Sequence, residues 1–82
     1  MKVVVLYFAA LRELLGKSEE TIADVSGPTT VHAFAELLGQ RHPVLVSRLA
    51  SVRFAVNESF VSASDPIEDG DTVALIPPVS GG

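Results

Sequence analysis

Apolar residues in this chain gather into runs of two kinds, some nearly unbroken and some spaced at intervals of three and four. Lys2 to Phe8 is of the first kind. Its β-branched and aromatic content predicts a strand, and its near-continuous apolarity predicts cover on both faces in the middle of a sheet. AALRELLG follows at once. Ala10, Leu11, Leu14 and Leu15 recur there at helical spacing with Arg12 and Glu13 on the other side, and Gly16 supplies a stop. Residues 19 to 25, EETIADV, alternate as a strand paired with the first would. Thr29-Thr30 then offers an N-cap ahead of Val31, Phe34, Ala35 and Leu38, whose i, i+3, i+4, i+7 spacing makes one apolar stripe on the main helix. Gly39 and the His42-Pro43 pair set the end of that helix between them, and Val44 to Ala50 predict a further turn or two.

In the remaining third, Arg53 to Val56 and Phe60 to Ser62 flank Asn57-Glu58-Ser59, a polar connection that predicts a hairpin. Asp69-Gly70 is a second turn signal, and Thr72 to Ile76 follow as the last strand. Strand, short helix, strand, long helix, two short strands and a final strand fit an α+β domain with helices packed on one face of a mixed sheet, and a ubiquitin-like β-grasp is the expected form. In that form the last strand lies beside the first, so whatever follows it leaves from a rigid base. The expected organisation is a domain over residues 1–76 and an extended tail over residues 77–82. Phe8 and Phe34 are expected in the core, while Phe60 and Ile76 stay open between the core and an apolar patch that meets a partner.

Composition narrows the functions available. The chain has 82 residues, 48% of them hydrophobic, which suffices for one core and no second domain. A net charge of −4 with no cluster of Lys or Arg argues against nucleic acid as a partner. Zero cysteines exclude disulfides, thiolate metal sites and any mechanism in which a side chain carries the thiol. No apolar run approaches the ~20 residues of a membrane span, and MKVVVLYFAA lacks a signal-type cleavage site, so a soluble, cytoplasmic protein without a membrane partner is expected. Residues 58 to 71 hold five acids and no base. A calcium loop is disfavoured because Ile67 stands where a second acidic ligand is needed, and no metal site is expected. The acids read instead as a solvated turn, with Asp69 and Asp71 facing a basic partner surface. His32 and His42 have no third ligand or nucleophile nearby in sequence and are expected in surface roles at helix positions.

The end of the chain, ALIPPVSGG, carries the chemistry. With glycine at about 7% of residues, a terminal Gly-Gly arises by chance roughly 0.5% of the time. Glycine has no Cβ, so Gly81-Gly82 is slim enough for a narrow channel and leaves the terminal carbonyl open to attack. Pro77 and Pro78 end the strand by removing ladder donors and favour an extended course with little freedom left to lose. At about 3.3 to 3.6 Å per residue, Pro77 to Gly82 reach at most ~20 Å from the domain, far enough to enter another protein's active site. A frayed terminus is the competing reading. Against it, the tail lacks the charged residues of a solvating end and follows the strand without a spacer. Its carboxylate is inert as it stands and becomes an electrophile once a nucleotide converts it to an acyl-adenylate, so the tail is read as a substrate for activation and Ser80 as a small spacer, with no catalytic residue in the chain.

KVVVLYFAALRELLG at the front, AVNESFVSASDPIEDGDTVALIPPVSGG at the back and the length between them resemble the small subunit of molybdopterin synthase, the MoaD-like sulfur carriers. The likeness covers essentially the whole chain and is most specific from Asp69-Gly70-Asp71 through to Pro77-Pro78-Val79-Ser80-Gly81-Gly82. The resemblance implies that Gly82 is adenylated with ATP by a ubiquitin-activating-type enzyme, converted to a thiocarboxylate with sulfur from a donor protein, and used to deliver sulfur to cyclic pyranopterin monophosphate in molybdenum cofactor biosynthesis. It implies a partner-binding tail of Ile76, Pro77, Pro78, Val79, Ser80 and Gly81 inserted into the large synthase subunit, which supplies the catalytic residues, in a heterotetramer of two small and two large subunits. No cofactor is bound permanently, and ATP is consumed on the activating enzyme. Ala74-Leu75-Ile76 departs mildly from the family by lacking the aromatic often found there. Three alternatives share the fold: a carrier for another pathway such as thiamine, a ubiquitin-like tag conjugated to lysines, and a plain β-grasp binding module.

Overall fold

The architecture is that of a computed structural model, which describes residues 1–78. Its order follows from where the apolar runs can be buried. Strand β1 (Val3–Tyr7) alternates strictly: Val3, Val5 and Tyr7 are buried and Val4 and Leu6 only half-buried. After Phe8 the chain turns through Ala9 into helix α1 (Ala10–Leu15), which Gly16 terminates in the left-handed conformation at φ 71°. A glycine at that place spares the steric cost a Cβ would meet. Strand β2 (Glu19–Ile22) returns antiparallel to β1 with Val3 opposite Ile22 and Leu6 opposite Glu19, as the alternation predicted.

Helix α2 (Val31–Arg41) starts at Thr30, whose hydroxyl accepts from the Ala33 amide at 3.2 Å, the cap expected of a Thr before an apolar stripe. Val31, Phe34 and Leu38 form the buried stripe, with Ala35 at its margin. Gly39 does not end the helix. It is buried in the last turns, where a Cβ would come within 3.3 Å of Val46 and 3.4 Å of Leu49, so its smallness admits the short helix α3 (Val46–Leu49) that follows a 3-10 turn at Pro43–Leu45.

Strand β4 (Arg53–Val56) and strand β5 (Ser59–Phe60) form the hairpin one residue tighter than the sequence suggested. Only Asn57 and Glu58 make the turn, both at positive φ (49° and 72°), the signature of the two-residue turn whose twist suits a hairpin. Strand β7 (Thr72–Ile76) runs parallel to β1 and antiparallel to β4, giving a five-stranded mixed sheet of order β2-β1-β7-β4-β5. A second ribbon was not foreseen: strands β3 (Thr29–Thr30) and β6 (Pro66–Ile67) pair antiparallel and fasten the start of α2 to the segment before the last turn. Two-residue strands carry no periodicity to read.

The helices all lie on one side. Leu11, Val31, Phe34, Leu38 and Leu45 join Val3, Val5, Tyr7, Val73 and Leu75 in a single core. The α+β class, the mixed sheet and the ubiquitin-like β-grasp are as expected. Two expectations about β1 were mutually inconsistent, however, because a sheet with helices on one face cannot cover a central strand on both. The structure resolves the conflict against double cover. Phe8 is accordingly not a core residue but 44% exposed, whereas Phe34 is buried as expected.

Candidate functional site

The last strand is held where its end cannot wander. Thr72, Val73, Ala74 and Leu75 lie opposite Val4, Val5, Leu6 and Tyr7 on one side, and Val73 to Ile76 lie opposite Val56 to Arg53 on the other. Val73 and Leu75 anchor it in the core while Thr72, Ala74 and Ile76 turn to the bare face. Ile76 and Pro77 are half-buried and Pro78 is exposed, so the described chain leaves the sheet at its middle strand. Val79, Ser80, Gly81 and Gly82, the rest of the sequence-derived tail site, lie outside the described residues.

Beside that exit the bare face forms an apolar cleft of about 440 Å³ lined by Leu6, Phe8, Ala55, Phe60, Ala74 and Ile76, with Asn57, Glu58 and Thr72 toward its other end. Phe60 is 56% exposed. Phe60 and Ile76 both line this apolar surface. Leu6, Phe8, Ala55 and Ala74 belong to it too and were missed. Alternation requires that every second residue of a central strand face away from the helices, but it does not say which half does so. At the tail end, the Arg53 guanidinium carbon sits 4.0 Å from the centre of the Phe60 ring, a cation–π contact worth about 0.5–1 kcal/mol at such an exposed site.

The acidic turn is occupied by its own backbone. Asp69 Oδ1 accepts from the Lys2 amide at 2.7 Å, and Gly70, at φ 87°, donates to the Lys2 carbonyl at 2.7 Å. Asp71 accepts from the Glu68 amide at 2.8 Å and from Asn57 Nδ2 at 3.0 Å, while Asn57 Oδ1 accepts from the Thr72 amide at 3.0 Å. Asp65 accepts from the Ser62 amide at 2.8 Å. These carboxylates shape the approach to β7, and no grouping of His, Asp and Glu suited to a metal occurs among the described residues.

His32 pairs with Glu36 on the exposed face of α2, as a surface residue would. His42 departs from expectation. It closes α2, and its Nε2 lies 2.7 Å from Glu20 Oε1, which also accepts from the Tyr7 hydroxyl at 2.7 Å; Lys17 stands 3.6 Å from the other oxygen. Burial pushes the Tyr7 hydroxyl well above its ordinary value, with the Glu20 hydrogen bond and charge adding to the effect. Burial would also raise Glu20, but the hydrogen bonds from Tyr7 and His42 and the nearby charges of His42 and Lys17 outweigh it and hold the carboxyl below its ordinary value. The cluster lies on the helix side of the sheet and ties α2 to β1 and β2.

No helix of the described residues is long and apolar enough to cross a membrane. The sequence profile of the ThiS family matches residues 5–82. The chain is similar to the molybdopterin synthase sulfur carrier subunit of Chlamydomonas reinhardtii, 40% identical with the whole of both chains covered. It is 38% identical to the subunit of the same description from Mycobacterium tuberculosis, over 100% of this chain and 99% of that one. Among solved structures, SAMP1 from Haloferax volcanii superposes with a TM-score of 0.88 at 30% identity over the full length of both.

Proposed function

The chain belongs to the ThiS family, alongside the molybdopterin synthase sulfur carrier subunits, and from that premise we propose that it carries sulfur on its C-terminal glycine for a molybdopterin synthase. The observation that carries the reading is the exit of the chain: a strand pinned between two neighbours, ended by Pro77-Pro78, beside an open apolar cleft. A tail launched from a fixed base loses less freedom on entering a partner's channel than one launched from a loop.

In this reading the Gly82 carboxylate attacks the α-phosphate of ATP on an activating enzyme, pyrophosphate leaves, and an acyl-adenylate results. A persulfide on a donor protein then adds to the carbonyl and AMP departs, giving an acyl disulfide; a second thiolate attacks the donor's sulfur, so that a disulfide forms on the donor side and the thiocarboxylate is released on Gly82. The carrier next docks on the large synthase subunit, where its tail delivers sulfur to cyclic pyranopterin monophosphate. The name of the relatives, a subunit of a synthase, supports a second chain as partner. Without cysteine, the terminal carboxyl is the position on this chain from which a transferable sulfur can hang. The chain is thus a sulfur-donating subunit with no general acid or base of its own, and catalysis belongs to its partners. It binds no permanent cofactor, and ATP is consumed on the activating enzyme.

Intact mass measurement after incubation with ATP, a sulfur donor and the activating enzyme tests this. Replacement of one terminal oxygen by sulfur is expected, and its persistent absence would sink the proposal. The likeness to SAMP1, described as a small archaeal modifier protein, favours a second reading as a protein tag. In that case the same activated Gly82 would be found in isopeptide linkage to lysines of other proteins.

A further inference from the structure

The geometry points to Arg53, stacked on Phe60, as a ready-made receptor for a carboxylate of the docking partner, at the tail end of the bare sheet face. The inference rests on the carrier reading and adds to it the chemistry of the surface that the carrier recognises.

Arg53 lies opposite Ile76, the residue from which Pro77-Pro78 depart, and the register puts it on the side of Ala55 and Phe60, next to the cleft and not among its lining residues. The chain holds ten acids against six Lys and Arg, so a cation has many prospective partners. Arg41 takes Asp24 at 2.8 Å and Lys17 takes Glu20, while Lys2, Arg12, Arg48 and Arg53 have no ion pair among the described residues, and what sets Arg53 apart is its place over an aromatic ring. No carboxylate of the described residues lies within ion-pair distance of Arg53, and its guanidinium donates no hydrogen bond among them. What it has instead is the Phe60 ring at 4.0 Å. A cation–π contact uses none of the guanidinium N–H groups as hydrogen-bond donors to a carboxylate, so they are free for a two-pronged one.

The apolar cleft beside it gives those free donors a consequence. A partner that buries Phe8, Phe60 and Ile76 must also strip water from Arg53, and a desolvated cation without a counter-charge is strongly unfavourable. The surface therefore selects an apolar partner patch that carries an Asp or Glu where the tail enters, and it rejects apolar patches that lack one. The ring holds the long Arg side chain in place beforehand, which reduces the freedom lost on binding. Aromatic and Arg anchors of this sort are the residues on which interface affinity concentrates.

The test is calorimetric binding of the whole carrier to the large synthase subunit of the same organism, at low and high salt, with thermal unfolding as a check on folding. Arg53→Glu should weaken binding by about thirtyfold or more. Arg53→Gln should weaken it less and flatten the salt dependence, and it serves in place of Arg53→Glu should the latter fold poorly. Phe60→Leu keeps apolar bulk without the ring and should lower affinity while leaving the salt dependence of the Arg53 contact in place. If the unsubstituted chain binds and both Arg53 variants match it, the inference falls and the carrier reading stands. If the unsubstituted chain does not bind at all, both fall together.

Discussion

On the covered face of the sheet Val3, Val5, Tyr7, Val73 and Leu75 expose 1% of their surface or less, whereas on the other face Phe8 and Phe60 keep 44% and 56% of theirs. The two faces are built from the same strands and are separated only by the alternation of side chains along them. One has three helices against it and so contributes its burial to folding. The other holds an apolar cleft that contributes nothing until something covers it. The contrast teaches that an apolar residue here has two possible uses, and that a substitution separates them: on one face it should be felt in stability, on the other in association.

The comparison can be broken most forcefully from the covered side. Leu75→Ala, at a fully buried position of β7, should cost about 2–5 kcal/mol of a total of roughly 5–15 for a domain of this kind, measured by urea unfolding. A loss below ~1 kcal/mol would mean that the core face is not what holds the domain together. Phe60→Ala is the matching change on the bare face. It should alter unfolding stability by no more than about 1 kcal/mol, yet weaken binding to the large synthase subunit by about 2 kcal/mol or more. The reverse pattern would erase the distinction between the faces.

Smaller effects test the polar groups flanking each face. Tyr7→Phe removes the hydroxyl that donates to Glu20 on the covered side and should cost about 1 kcal/mol at neutral pH. The pH dependence has two limbs. Tyr7 is raised in the folded state, so its contribution is complete below its ordinary value of 10.0 and declines as pH rises beyond it. Glu20 is lowered in the folded state, so its contribution is present above its ordinary 4.5 and is lost as acid protonates the carboxyl. In Tyr7→Phe the alkaline decline should disappear and the acid limb should weaken. The smallest change is Glu58→Gly at the rim of the cleft, where Glu58 holds φ 72° in the hairpin turn. Relief of that conformation, partly offset by the added freedom of the unfolded chain, should raise stability by less than about 1 kcal/mol.

Much of the fold was legible because its signals are local. The stripe of Val31, Phe34 and Leu38, the Thr30 cap, Gly16 after α1 and Asp69-Gly70 before β7 each depend on residues a few positions apart. The errors lie where distant segments decide. His42 was read as a surface residue, because nothing in the sequence near it foretells Glu20, 22 positions away, or Tyr7 beyond it. Phe8 was placed in the core, because a strand's apolar run does not say which of its faces the helices will take. Asp69 and Asp71, expected to face a partner, also accept hydrogen bonds from Lys2, Glu68 and Asn57, contacts that span up to 67 positions and that no local pattern foretells.

The sequence by itself determined the main helix and the strands of the larger sheet, the α+β class, the strand that begins ALIPPVSGG and the absence of any side-chain thiol, since these follow from periodicity, capping, turn chemistry and composition. Only the tertiary structure decided which half of each strand's side chains is sealed and which is left bare, and that Arg53 meets Phe60 beside the exit of the chain. The reason is geometric. Alternation makes two apolar faces in the sequence, and the placement of helices on one of them, settled by contacts between residues far apart in the chain, is what leaves the other bare.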